Sequence, residues 1–270
     1  MLRLLKNPVI MSNDLVEYYV NQYDEGSRHR DPFGVIQELR TKFLLSRYLH
    51  DDPMSILDVG GANGVYSFFL ADLGHRVSLL DIAPNHIEQA EQLNAERERK
   101  LEQILLGDVQ TFATSARYDL ILLHGPLYHM IVREKRIAVL QRMKRLLKAN
   151  GRILGFGINR YAGYFYGVHS GQILKEDYRQ IVKEEMKNGI RHKAPSWYFH
   201  TPDELTAEFE EAGLAVAAIK SVTTQVWMLP GIGTMIQDVD SLRLILQLAQ
   251  EAEDAVQIGQ DLLCVGEIPG

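Results

Sequence analysis

Asp58, Asp81 and Asp108 each follow a short apolar run. The first is succeeded at once by glycines, ILDVGGANG over residues 56–64, which place Gly60, Gly61 and Gly64 in one loop. Glycines let a loop turn tightly and approach a ligand with no Cβ between, and a helix start beyond them offers free N–H groups. Asp81 ends the next apolar run, about twenty residues on, where a carboxylate accepts hydrogen bonds from a ribose diol. The pattern predicts a nucleotide-like ligand.

NAD would use such an acid in the same way. Its fingerprint wants G-x-G-x-x-G, but counted from Gly60 the other two positions hold Ala62 and Val65. Asp58 would also set negative charge beside a pyrophosphate, whereas a cationic amino-acid end would be welcome there. The expected cofactor is partly cationic and carries no phosphate. Farther on, HGPLYHM brings His124, Tyr128 and His129 to the end of another apolar run. An imidazole can take a proton near neutral pH or serve as a hydrogen-bonded structural group, and the residues alone leave both roles open for His129.

These residues need elements to hold them. SILDV, RVSLLDI, LEQILLGD, RYDLILLHG and RILGFGI read as five strands. Between them VYSFFLADLGH, PNHIEQAEQLNAERERK and REKRIAVLQRMKRLLKANG read as helices, the second with Pro84 in its first turn and the last closed by Asn150-Gly151. Such alternation specifies a doubly wound, Rossmann-like α/β fold with a mostly parallel sheet, here seven-stranded, because right-handed crossovers leave few other arrangements. The pattern pauses over 158–200 and resumes at TPDELTAEFEEAGL, with the strands AVAAIKSVTTQVW and DLLCVGEI and a helix around DVDSLRLILQLAQEAEDAV still to come. We divide the chain into an N-terminal helical lid segment (1–50), a core (51–157 and 201–270) and an inserted cap over the site (158–200).

The 270 residues carry a net charge of −6, which offers no electrostatic footprint for duplex nucleic acid. Cys264 is the only cysteine, so an internal disulfide and a multi-cysteine metal site are excluded, and a reducing compartment is expected. No stretch approaches the roughly 20 apolar residues that span a bilayer, and MLRLLKNPVI has no cleavage site after it. A cytoplasmic protein is the expectation.

Taken together, Asp58-x-Gly60-x-x-x-Gly64, Asp81, GDV with Asp108, and YDLILLHGPLYHM make the segment from about 54 to 157 resemble the class I S-adenosylmethionine-dependent methyltransferases. The resemblance implies S-adenosyl-L-methionine as cofactor. Gly60, Gly61, Asn63 and Gly64 would face its methionine part, with Asp58 near the ammonium. Asp81 would hold the ribose hydroxyls with Ile82 beside it, Asp108 and Val109 would meet the adenine, and His124 would shape the pocket. One departure is Ala62, where the family's loop often has a glycine. The segment EYYVNQYDEGSRHR resembles lid segments of small-molecule members, with Tyr19 and Tyr23 as candidates to reach over the cofactor.

A sulfonium methyl is already activated, so transfer chiefly requires that donor and nucleophile be held in line. His129, Tyr128 and His200 are the candidate catalytic residues, and the aromatic cap adds Arg160, His169 and Tyr198 as polar candidates for an apolar pocket. The expected acceptor is a small or medium organic molecule; nucleobase-amine enzymes typically carry Asn or Asp with Pro-Pro and an aromatic where this chain has His124-Gly125-Pro126-Leu127. RNA or protein methylation, and a cofactor-binding module without catalysis, are the alternatives. Each aspartate alone also suits a plainer role as a helix cap or solvated strand end. No metal is expected, since His124 and His129 lack the one-turn spacing of a helical zinc pair.

Overall fold

The strand runs pair as β1 (Ser55–Val59), β2 (Arg76–Asp81), β3 (Gln103–Leu106), β4 (Tyr118–Leu123), β5 (Leu147–Asn159), β6 (Ile190–Arg191), β7 (Trp197–His200), β8 (Ala215–Ser221) and β9 (Asp261–Glu267) in a computed structural model that describes residues 10–21, 31–192 and 195–270. One sheet results, in the order β3-β2-β1-β4-β5-β7-β6, with β9 also on β5 and β8 on β9. β1, β2, β3, β4 and β5 are mutually parallel, as is β7 on β5; β9 runs antiparallel to β5 and β8, and β6 to β7. The expected seven strands are the path β3-β2-β1-β4-β5-β9-β8. The short β6 and β7 are additions at the end of β5.

Both faces of the sheet are covered, which is why its central strands read as continuous apolar runs rather than alternating ones. Leu57, Ile121 and Ile153 pack into one core with Phe209, while their neighbours Ile56, Leu120 and Leu154 pack into another with Phe68 and Leu70. Successive residues thus feed opposite cores, as the pleat requires. The helix Val65–Asp72 follows β1, and Gly74 beyond it has φ +98°, the left-handed stop that its sequence position predicts. Thr201 and Glu204 form a reciprocal capping box at the helix Pro202–Glu211.

Two elements differ from expectation. The helix Arg133–Lys144 stops early, and Asn150-Gly151 lies inside β5, because Leu147 already pairs with Tyr118 ahead of a register shift whose extra residues lie in β5. The strand expected over 215–227 ends at Ser221: Thr224 has φ +51° and turns the chain away. Among the described residues, no helix is long and apolar enough to cross a membrane.

Strand order reverses at β1, with β2 and β3 on one side and β4 and β5 on the other. In an open α/β sheet a crevice forms at that point, outside the carboxyl ends of the strands. Asp81, Asp108 and His124 all stand at such ends.

Candidate functional site

The crevice is a cleft of about 930 Å³. Its floor begins where β1 runs out at Val59. Gly60 has φ +75° and donates its N–H to the Leu80 carbonyl at 2.8 Å. A Cβ on Gly60 would lie 2.8 Å from Pro126 Cδ and 3.0 Å from the His124 carbonyl, so this glycine is required for the two loops to touch. Ala62 adopts φ +49°, a conformation that L residues avoid, and directs its N–H at Asp81 Oδ2, 2.9 Å away.

That hydrogen bond is one of several which fix Asp81. Its Oδ1 accepts from the Ala83 N–H at 2.9 Å and lies 3.2 Å from His86 Nδ1. Pro84 starts the helix Pro84–Glu96, and that first turn carries His86 back over the strand end. Asp108 likewise serves its own loop. Its Oδ1 accepts from the Gln110 N–H at 2.8 Å and its carbonyl from the Phe112 N–H, while the residue still lines the cleft. The plainer role as a cap and a place in the cleft therefore coexist.

Asp58 sits behind the loop rather than in the cleft. It is fully buried, its Oδ2 accepts from Ser67 Oγ at 2.7 Å, and Oδ1 has no hydrogen-bond partner. Burial pushes its carboxyl up to about 6, against the opposing pull of the Ser67 hydrogen bond. Gly61 abuts it: a Cβ there would lie 2.8 Å from Asp58 Oδ2. Gly61, Asn63 and Gly64 build the loop without lining the cleft. Gly60, Asp81, Ile82, Asp108, Val109, His124, Tyr19, Tyr128 and His129 do line it.

The opposite end of the cleft is built from rings. His124 lies between Tyr66 and Phe156, with centroids at 5.0 and 4.2 Å. Tyr19, on the helix Ile10–Asn21, shares a 2.9 Å hydrogen bond with His129 Nε2, and its backbone carbonyl accepts from Asn85 Nδ2 at 2.9 Å. His129 and Tyr128 both pack on Trp197 of β7, at centroid distances of 4.4 and 5.7 Å, and Tyr18 meets the same indole edge-on at 6.4 Å. Part of the His129 ring faces the cleft, yet both nitrogens are withdrawn: Nε2 is engaged by Tyr19 and Nδ1 is buried without a partner. Desolvation pushes this imidazole down to about 3, although Asp81 draws it the other way.

The other expected residues lie elsewhere. His200 is a correction: it is fully buried 3.4 Å from Glu208 and not in the cleft, because Glu208 is already anchored on Arg136 and β7 carries the histidine into that cluster. Tyr198 joins it, its ring 3.7 Å from the Arg136 guanidinium, and Arg160 donates to the Phe199 carbonyl at 2.7 Å. His169 ends the helix Ala162–His169, away from the cleft. Tyr23 lies outside the described residues. Cys264 is buried on β9, its thiol pushed up by desolvation. Among the described residues no three His, Cys, Asp or Glu side chains converge as a metal site would need.

Sequence reasoning missed His86, Gln110, Met130 and Lys135 in the lining, and Trp197 behind it. His86 carried a usable signal, being two residues past a helix-starting proline and five past Asp81. Trp197 carried none, because its place depends on how β7 pairs with β5.

Residues 56–151 match the family model of a methyltransferase domain. No curated protein matches the sequence. Among solved structures, the chain is similar to 1,6-didemethyltoxoflavin-N1-methyltransferase of Burkholderia thailandensis, which holds 1,6-didemethyltoxoflavin and S-adenosylhomocysteine. That match has 16% identity and a TM-score of 0.62, over 99% of this chain and 92% of that one. Magnesium protoporphyrin IX methyltransferase of Synechocystis PCC 6803, solved with S-adenosylmethionine, gives 11% identity and a TM-score of 0.62 over 98% and 100% of the two chains. The CcbJ methyltransferase of Streptomyces caelestis gives 13% identity and a TM-score of 0.58 over 96% and 98%. Residues 56–151 are thus similar to a methyltransferase domain, and the chain shares the fold of these solved methyltransferases.

Proposed function

We propose that this chain is an S-adenosylmethionine-dependent enzyme that methylates a small or medium organic acceptor. The observation that carries the reading is the convergence of Gly60, Asp81 and Asp108 on one cleft at the point where strand order reverses. The cradle fits the cofactor. Gly60 keeps open a space that a Cβ would fill, and Val59, Leu80, Ile82 and Val109 give apolar walls with a few polar groups between them, as small-molecule sites have. Asp81 would hold the ribose, Asp108 and Val109 the adenine, and the Gly60–Gly64 loop the methionine part, with Asp58 behind it. S-adenosylmethionine, when bound, supplies a methyl group already activated by its sulfonium.

The protein's share is then to position the acceptor and exclude water. Tyr19, Tyr128 and His129 face the cleft beyond the cofactor residues. An imidazole held neutral down to about pH 3 is a weak base, and with both nitrogens withdrawn His129 serves as a fixed wall of the cleft rather than as a proton acceptor. The acceptor brings its own lone pair. The helix Ile10–Asn21 acts as the lid through Tyr19, and the segment 158–200 acts as a cap that reaches the site through Trp197. Small-molecule acceptors of the Burkholderia and Synechocystis enzymes support this reading.

Calorimetry with S-adenosylmethionine, S-adenosylhomocysteine and NAD tests the cofactor. Binding of the first two and none of NAD is expected; tight NAD binding alone would overturn the proposal. A labelled-methyl screen across small amines, phenols, carboxylic acids, heteroaromatic rings, RNA and protein then tests the acceptor, with transfer to a small molecule as the expected result.

A further inference from the structure

His86 is 2% exposed and lines the cleft beside Asp81. Its Nδ1 lies 3.2 Å from Asp81 Oδ1, and a carboxylate oxygen only accepts, so Nδ1 carries the proton. In a neutral imidazole the other nitrogen is then an acceptor. That atom, Nε2, is buried and has no hydrogen-bond partner, and the Tyr19 ring lies edge-on above it with centroids 5.1 Å apart. A buried acceptor left unmatched is costly, and in a native structure it calls for a missing donor.

The lone pairs of Asp81 say what the donor is. Oδ1 already accepts from the Ala83 N–H and from His86, which fills both of its positions. Oδ2 accepts from the Ala62 N–H and keeps one position open. A vicinal diol brings two O–H groups, but Asp81 has room for one. The nearest acceptor on its own hydrogen-bond network is His86 Nε2.

We propose that His86 is a second ribose ligand: one hydroxyl of the diol donates to Asp81 Oδ2 and the other to His86 Nε2. The inference rests on the cofactor reading above and adds a residue that the aspartate pattern does not contain. His86 also orients Asp81 through Nδ1, so the carboxylate and the imidazole act as one two-pronged receptor. Tyr19, edge-on to His86, covers that receptor.

The test is calorimetry of the full chain with S-adenosylhomocysteine and its 2′-deoxy and 3′-deoxy analogues, for the unaltered chain, His86→Phe and His86→Gln. We expect His86→Phe to bind S-adenosylhomocysteine about 10-fold more weakly. Against the one deoxy analogue that lacks the partner hydroxyl, His86→Phe and the unaltered chain should agree within about twofold, while the other analogue keeps the full gap. His86→Gln retains an acceptor oxygen and should recover most of the affinity. An equal loss for His86→Phe against all three ligands would show that His86 acts only by holding Asp81, and would overturn the proposal. Equal affinities of His86→Gln and His86→Phe for S-adenosylhomocysteine would do the same, and if His86→Phe does not fold, His86→Gln is read against the two deoxy analogues in its place, an equal change for all three ligands again overturning the proposal. Failure of the unaltered chain to bind S-adenosylhomocysteine at all would instead overturn the cofactor reading itself.

Discussion

The two ends of the cleft are made in different ways. The cofactor end is written by main chain: Gly60, Ala62 and Asp81 occupy neighbouring strand ends, and backbone N–H groups aim the carboxylate. The acceptor end is written by side chains from three distant segments, with Tyr19, Tyr128, His129 and Trp197 leaning on one another. Backbone placed by a sheet tolerates little variation, whereas a ring cluster can be repacked without moving a strand.

Each end also buries a titratable group, and the two respond to pH with opposite sign. The folded chain resists protonating His129 until about pH 3, while the unfolded chain takes that proton near 6.5. The unfolded state therefore binds more protons between those values, and this group's contribution to stability is lost as pH falls, by about 5 kcal/mol at the acid limit. Asp58 does the reverse. The folded chain keeps its proton up to about 6 and the unfolded chain releases it near 3.8, so stability falls as pH rises across that window, by about 3 kcal/mol.

The two slopes oppose each other between about pH 4 and 6, and single substitutions should separate them. His129→Phe keeps the ring and removes the acid sensitivity, so urea unfolding from pH 7 to pH 4 should show a smaller loss of stability than in the unaltered chain. Asp58→Asn should show a steeper one. If both variants follow the pH profile of the unaltered chain, neither end owes its character to buried ionisation, and this part of the comparison fails.

Binding should divide the ends more sharply. Asp81→Ala removes the acceptor for the Ala62 and Ala83 N–H groups as well as for the ribose, and should weaken S-adenosylhomocysteine by roughly 1.5 to 3 kcal/mol, about 10- to 150-fold. Trp197→Ala removes a ring that supports His129 and Tyr128 but touches no cofactor-end residue, so the same titration should change by no more than about threefold. Comparable losses in both would mean that the rings hold the cofactor too.

The same division governs what could be read from the sequence. The strand runs, the glycine loop and the aspartates were legible because strand ends in an alternating α/β chain have a fixed meaning. His200 was misplaced and Trp197 overlooked for the converse reason. Both lie on β7, whose two-residue pairing with β5 decides that His200 meets Glu208 while Trp197 reaches His129. Pairing that short leaves no periodic trace. The early end of the helix Arg133–Lys144 was likewise hidden, since the strand that displaces it is selected by the partner Tyr118.

Ala62 is where the cofactor end can be tested with the least perturbation. At φ +49° it occupies a conformation that costs a non-glycine residue about 1 to 2 kcal/mol, while its N–H holds Asp81 Oδ2. Glycine would relieve that strain but lose about 0.4 to 1 kcal/mol through the freer unfolded chain. Ala62→Gly should therefore gain about 0.5 kcal/mol, a rise of about 1 to 2 °C in melting temperature, with S-adenosylhomocysteine affinity unchanged within about twofold. The N–H to Asp81 is the same atom in both residues, so a site defined by main chain must tolerate the change. Lower affinity without a gain in stability would mean that the methyl group itself stiffens the loop, and that a side chain, not the backbone, sets this end of the cleft.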